Sequence, residues 1–377
     1  MLSSANTSSF NQSAALRAFC SDAFDANRFG DPTRLSPLGA SSGVVLTVDA
    51  ATDARNGKRV VLKRAAFPVA AAHLANDLLP VLLNASGPHV LSADACFDGG
   101  AGSYVAVFEK MEGSLLQLLE SKDGQRDPRL NYRRRACFAF RAVHQTLAGL
   151  ATIHAKGIVN QDLHAGNLLM TREKNGIRLR VSDFGRACLV NAICKQQAGA
   201  MAIAPESGHV PLTPASDVWS AGLVFLFLRC YAEFEVGRKR KRYKDWILGL
   251  NRAYGDAAAA ARQATRDLGP LTPRVVGQPR QPPAPRVSGG ALQAREKTCA
   301  APWNASSLLD MLPNPNFPAA AKKCALLAKH RGHEAPRENQ LLAAMLDLCW
   351  DRRPSSAWLA REFGGIVRRR CPRSREQ

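Results

Sequence analysis

Apolar residues recur along this chain in short alternating runs and in longer helical rows. Arg59-Val60-Val61-Leu62-Lys63 follows a polar turn at Asn56-Gly57 and alternates so that Val61 and Lys63 share one face of a predicted strand. Tyr104 to Phe108 is a second strand-like run, and Ile177 to Val181 a third. Between the first two lies Ala-Ala-His73-Leu-Ala-Asn-Asp77-Leu-Leu-Pro80, a helical segment whose continuation Pro80 limits. From Tyr132 to His154 the apolar positions Phe140, Val143, Leu147, Leu150 and Ile153 fall three and four apart, which predicts a helix with one buried face. Ala221 to Leu228 is the longest apolar run, far short of a membrane span. Met1 to about Asp31 is rich in Ser, Asn and Ala with a short helical pattern around Ala14 to Phe19, and is expected to be a flexible extension.

At 377 residues the chain is long enough for one large or two ordinary domains and a sizeable core. Its ten cysteines show no C-x-x-C pair and no regular spacing, so neither a zinc site nor a disulfide framework is expected, and a reducing compartment is favoured. The start, MLSSANTSSFNQSAALRAF, lacks the basic residues and apolar run of a signal peptide, so a soluble intracellular protein is expected. A formal net charge of +20 favours acidic or polyanionic partners, or serves solubility alone. The densest basic run, Gly237-Arg238-Lys239-Arg240-Lys241-Arg242-Tyr243-Lys244, reads either as a nuclear-import or acidic-partner patch or as a solvated helix face. The basic runs leave nucleic acid contact open, although no motif indicates it. Gly255 to Pro302, with Gln281-Pro282-Pro283-Ala284-Pro285, has the composition of a flexible insertion, and Arg368-Arg369-Arg370 adds charge near the end.

The stretch His154 to Ala187 carries the candidate chemistry. It holds Asp162, then Asn167, then the strand-like run ending at Val181, then Asp183 before Phe184-Gly185. That order resembles the catalytic and magnesium loops of eukaryotic-type protein kinases. Phosphoryl transfer needs positioning and charge neutralisation more than covalent help. The resemblance therefore implies that Asp162 orients the acceptor hydroxyl and takes its proton, while Asn167 and Asp183 supply the oxygen ligands that Mg²⁺ prefers. It also implies an α+β, bilobal fold, with a small β-rich N-lobe and hinge over about 32–112 and a larger, mainly helical C-lobe over 113–377 that contains the 255–302 insertion.

Further motifs follow the same resemblance. Leu38-Gly39-Ala40-Ser41-Ser42-Gly43-Val44-Val45 is similar to a glycine-rich loop over the ATP phosphates, with Gly39, Ser41, Gly43 and Val45 as contacts, and a plain β-hairpin turn is the competing reading. Lys63 matches the lysine that positions the α- and β-phosphates. Asp77 is the one acidic residue between Lys63 and Ala93, hence the available carboxylate partner. Glu109 and Met111 fall where a hinge backbone would hold adenine, with Phe108 behind it. Ala204-Pro205-Glu206 and Asp217-Val218-Trp219-Ser220-Ala221-Gly222 complete the pattern. Asp217 would hold the catalytic loop's backbone, and Glu206 would pair with Arg353.

Three departures stand out. Asn160-Gln161-Asp162 replaces His-Arg-Asp, His164 replaces the lysine two residues after the aspartate, and Ala200 replaces the threonine after Gly199. His164 is therefore a candidate catalytic cation, with a loop-building histidine as the alternative. Arg186 to Ile203 contains no Ser, Thr or Tyr, so activity without activation-loop phosphorylation is expected. Divergent signatures on a basic, Ala- and Arg-rich chain resemble virus-encoded serine/threonine kinases of the herpesvirus type. The implied function is ATP- and Mg²⁺-dependent phosphorylation of protein hydroxyls, on acidic or nuclear substrates. Asp162-Leu163-His164-Ala165-Gly166-Asn167 is also similar to the loop of aminoglycoside and choline kinases, which leaves a small-molecule phosphotransferase as the runner-up and a non-catalytic scaffold as a third reading.

Overall fold

The computed structural model describes residues 12–37, 46–65, 68–121, 132–173, 176–190, 204, 213–234, 336–347 and 349–371. An antiparallel five-stranded sheet comes first. Its strands β1 (Phe29–Pro37), β2 (Leu46–Asp53), β3 (Lys58–Ala65), β4 (Ala93–Gly100) and β5 (Ser103–Glu109) lie in the order β1-β2-β3-β5-β4. The turn into β3 works because Gly57 adopts φ 69°, a conformation that costs glycine little. In β3, Val60, Leu62 and Ala65 are buried, while Lys63 lies opposite Val48 on one side and Ala106 on the other. The lysine is thereby fixed in the middle of the sheet. Helix α2 (Pro68–Asp77) packs on this sheet and stops at Leu78; the chain restarts as the short α3 (Leu79–Leu82), which has Pro80 in its first turn.

Residues 12–31, expected as a flexible extension, are built into this lobe. Helix α1 (Gln12–Phe19) buries Leu16, Ala23 bridges Asp98 beside β4, and Cys20 is bonded to Cys96. A second disulfide joins Cys137 to Cys371, and no described cysteine is free. The expectation that no disulfide framework forms is thus corrected. The paired sulfurs are separated by 76 and 234 residues, so no local spacing reveals them.

The second lobe is mainly helical. After β6 (Gly113–Ser114) and α4 (Leu115–Glu120), helix α5 (Tyr132–His154) presents Phe140, Val143, Leu147, Leu150 and Ile153 on one buried face, as their spacing predicts. It packs between α6 (Pro214–Phe234) and the last helix, so that Phe140, Phe225 and Phe363 form an aromatic stack at the centre, the last two edge to face at 5.1 Å. Helix α7 (Arg337–Met345) covers α6, and α8 (Ser356–Arg370) closes the lobe. Gly149 on α5 is needed for close approach, because a Cβ there would stand 2.4 Å from the carbonyl oxygen of His89. Strands β7 (Ile158–Val159), β8 (Leu168–Glu173), β9 (Gly176–Val181) and β10 (Cys188–Leu189) form two small sheets, β6-β8-β9 and β10-β7. The β8-β9 hairpin brings the loop after β7 and the turn after β9 to one edge. Two lobes, one a sheet and one helical, agree with the expected α+β bilobal architecture. Among the described residues, no helix is long and apolar enough to cross a membrane.

Candidate active site

The loop between β7 and β8 is held by one buried carboxylate. Asp217, in the first turn of α6 and 1% exposed, accepts the backbone N–H of Asn160 at 2.8 Å and of Gln161 at 2.9 Å. It also bonds His154 Nε2 at 2.9 Å, while His154 Nδ1 meets Ser356 Oγ at 2.8 Å. Gln161 sits at φ 66°, a left-handed conformation that costs a residue with a side chain about 1–2 kcal/mol. The charge-assisted bond to Asp217 offsets that cost.

Asn160, fully buried, stands in the place of the expected histidine. Its Oδ1 accepts the N–H of Asp162 at 3.1 Å, and its Nδ2 donates to the carbonyl of Asp183 at 3.4 Å. One amide thus joins the two acidic loops. Asn167 Nδ2 donates to the carbonyl of Asp162 at 2.9 Å, which leaves the amide oxygen as the free end of that side chain for a hard cation. Ser182 in turn donates through N–H and Oγ to the carbonyl of Asn167, at 3.0 and 2.8 Å.

Above the loop, three charges meet across the lobes. Lys63 Nζ lies 3.0 Å from Asp77 Oδ2 and 3.4 Å from Asp183 Oδ1. Burial alone would push the lysine down, but the Asp183 and Asp77 carboxylates outweigh it and hold it above the usual lysine range. The Asp183 carboxyl is held below its ordinary value, chiefly by the Lys63 ammonium. Burial pushes the Asp77 carboxyl up, against the pull of Lys63, and the nearby charge of Asp183 adds to the rise. Asp183 adopts φ 57° and leaves its side chain 45% exposed, so it faces open space rather than the core. The following residues are locked. Phe184 is buried, Asn76 of α2 donates to the carbonyl of Gly185 at 3.0 Å, and Ala187 N–H returns to the carbonyl of Phe184 at 2.7 Å.

Of the two readings of His164, catalytic cation or loop-building histidine, the contacts of its ring match the second. Its Nδ1 accepts the N–H of Gly166 at 3.0 Å, and burial holds the imidazole at a pKa of about 4, so it is neutral near pH 7. Its Nε2 lies 4.0 Å from Asp162 Oδ1. The spacing His-Ala-Gly follows from this ring: a Cβ on Gly166 would meet His164 Cε1 at 2.7 Å. Among the described residues, Arg186 is a cation nearer to Asp162, its Nε 3.6 Å from Asp162 Oδ2. Arg186 was not among the expected site residues.

At the junction of the lobes, Glu109 ends β5 and its side chain takes an ion pair from Arg180 at 2.5 Å, while Met111 is buried with its sulfur 3.6 Å from Thr171 Oγ1. Phe108 is buried, its ring 5.7 Å from Lys63 Nζ. Arg353 is buried, donates to the carbonyls of Asp347 and Ala215 at 2.8 and 3.0 Å, and stacks over Trp219. Gly39, Ser41, Gly43 and Val45 lie outside the described residues, as do Glu206, 191–203, the basic run 238–244 and the 255–302 insertion.

Comparison with known proteins agrees with this arrangement. The protein kinase domain family matches residues 37–268. Cyclin-dependent kinase C-2 C of Arabidopsis thaliana is 27% identical over 225 residues, 56% of this chain and 32% of that protein. Calcium-dependent protein kinase 12 of the same plant is 32% identical over 106 residues, covering 26% of this chain and 22% of its own length. The serine/threonine-protein kinase PknA of Mycobacterium tuberculosis is 39% identical over 89 residues, 22% of this chain and 20% of the relative. The chain thus spans about a third or less of the length of these curated relatives. The family match reaches from the end of β1 past α6, taking in Lys63, the loop between β7 and β8 and Asp183, and the chain accordingly belongs to the protein kinase domain family.

Proposed function

We propose that the chain transfers the γ-phosphate of ATP to serine or threonine hydroxyls of proteins. The observation that carries this reading is the convergence of Lys63, Asp77 and Asp183 above a loop that presents Asp162 and the free amide oxygen of Asn167. Asp162 would align the acceptor hydroxyl and take its proton. Lys63, kept charged by its two carboxylates, would hold the α- and β-phosphates, and the backbone around Glu109 and Met111 would seat the adenine. Gly39, Ser41, Gly43 and Val45 would cover the phosphates. A carboxylate and an amide oxygen form the oxygen donor set that suits Mg²⁺, so Asp183 and Asn167 fit as its ligands. When bound, Mg²⁺ would neutralise charge on the phosphate oxygens. The hydroxyl-free segment 186–203 supports activity without phosphorylation there.

The test is incorporation of labelled phosphate from ATP into casein, choline and an aminoglycoside, by the native chain and by Asp183→Asn. Transfer to casein that Asp183→Asn abolishes is the expected result. Transfer to choline or the aminoglycoside instead would establish the small-molecule reading that the Asp162-to-Asn167 loop also resembles. Nucleotide binding without any transfer would mark a scaffold.

A second reading concerns compartment. The basic run favours nuclear entry and acidic partners, whereas the Cys20–Cys96 and Cys137–Cys371 bonds favour maturation where disulfides form and persist. Thiol labelling of the chain isolated from its source under denaturing conditions separates them. Blocked cysteines support the oxidising compartment, and full labelling supports a reducing one, nucleus or cytoplasm.

A further inference from the structure

The proposed reaction leaves one electrostatic position empty. Where the family pattern has a lysine two residues after the catalytic aspartate, this chain has His164, and that ring is committed elsewhere. Its Nδ1 is taken by the Gly166 N–H, it is 8% exposed, and Gly166 lacks the Cβ that would collide with it. Gln161 likewise supplies no charge. The charge that builds on the equatorial oxygens of a transferring phosphoryl group still needs a fixed donor beside Asp162.

Arg186 has the position and the unspent capacity. Its Nε pairs with Asp162 Oδ2 at 3.6 Å, and its Nη1 is buried without a hydrogen-bond partner among the described residues. A buried guanidinium N–H with nothing to donate to is costly, and an anionic oxygen is the group that satisfies it best. The backbone around it is tied down on both sides. The carbonyl of Gly185 is tied to Asn76, the Ala187 N–H to the carbonyl of Phe184, and Cys188 pairs with Val159 in β10-β7. The arginine is therefore carried on a turn anchored to both lobes, with one face on the proton acceptor.

We propose that Arg186 is a catalytic residue that replaces the missing lysine, bridging the Asp162 carboxylate and an equatorial oxygen of the phosphoryl group in transfer. This rests on the phosphotransfer reading above. The acceptor oxygen forms its bond to the γ-phosphorus as the bond to the bridging oxygen breaks; the electron pair leaves with ADP, and the hydroxyl proton passes to Asp162. Arg186 neither gains nor loses a proton. It stabilises the planar, charge-bearing arrangement between the two oxygens, and its salt link keeps Asp162 aimed.

The test compares the native chain, Arg186→Met and Arg186→Lys by three readouts: affinity for ADP, affinity for ADP with aluminium fluoride as a planar mimic of the transferring group, and kcat. Arg186→Met should bind ADP and melt as the native chain does, yet lose about 100-fold in kcat and a comparable factor for the fluoride complex. Arg186→Lys should recover part of both. Native-like kcat and analogue binding in Arg186→Met would overturn the inference, and so would a parallel loss of ADP affinity and melting temperature, which marks a structural arginine. A native chain that binds ADP but transfers nothing overturns the phosphotransfer reading itself, before any variant is compared.

Discussion

The two halves of the site are held together by different physics. Below, the loop from Asn160 to Asn167 is fixed by hydrogen bonds to backbone groups, buried or partly buried, with the buried Asp217 among their partners. Above, Lys63, Asp77 and Asp183 are fixed by charge across two lobes, and Asp183 keeps an exposed face. Directional hydrogen bonds shielded from water resist exchange of partners, since leaving a buried one unmade costs about 1–3 kcal/mol. Charges that share a cation can trade one partner for another when a ligand arrives. The lower half is thus a template, and the upper half is a set of contacts that substrate and metal can rearrange.

The largest expected effect falls on the template. Asp217→Ala strands two amides and His154 Nε2, and should cost about 3–5 kcal/mol in urea unfolding together with activity. A loss below about 1 kcal/mol would mean the loop does not depend on that carboxylate.

Acid should expose the next effect. The His164 pKa is depressed from 6.5 to about 4, so the unfolded chain binds a proton there before the folded one does. Stability from this group is complete above pH 6.5 and drains as pH falls toward 4, by about 3 kcal/mol in total. His164→Gln should flatten that part of the stability curve. An unchanged acid limb would mean the ring is solvated. The same neutrality predicts that kcat near pH 7 carries no titration that His164→Lys removes.

Gly166→Ala should cost about 1–3 kcal/mol by forcing a Cβ against the His164 ring, and much less in a His164→Ala background. Equal costs in both backgrounds would detach the glycine from the histidine. The smallest stability effect belongs to the upper half. Lys63→Met with Asp77→Leu should change stability by no more than about 1 kcal/mol, because a buried ion pair and an apolar pair of similar volume are close in energy. The same double variant should lose the thermal shift given by ATP. A large loss of stability would erase the distinction between template and contacts.

The sequence pattern reveals these halves unequally. Lys63, Asp162, Asn167, Asp183 and Asp217 stand in local motifs, Asp77 is singled out only as the one acidic residue between Lys63 and Ala93, and α5 is readable because its apolar positions keep a helical period. Asn160, His154 and Ser356 are not readable as a unit, since their bonds join residues from 57 to 202 positions apart to a carboxylate and a hydroxyl. His164 is visible but ambiguous, because the residue type does not say whether its ring faces a phosphate or the Gly166 amide. Arg186 stands next to a recognised motif and passes unnoticed, since only distance in space links it to Asp162. Helix α1 is legible as the short helical pattern around Ala14 to Phe19, but its docking is not, because what anchors it is a bond from Cys20 to Cys96 on β4.

The central claim is that Asp162 works as the proton acceptor of phosphoryl transfer from a loop whose shape does not depend on its charge. The direct measurement is single-turnover transfer of labelled γ-phosphate to casein by the native chain and by Asp162→Asn, with ATP affinity measured on the same samples. Transfer should slow by about 10²–10⁴-fold in the variant while ATP affinity stays within about threefold. Undiminished transfer by Asp162→Asn would contradict the account.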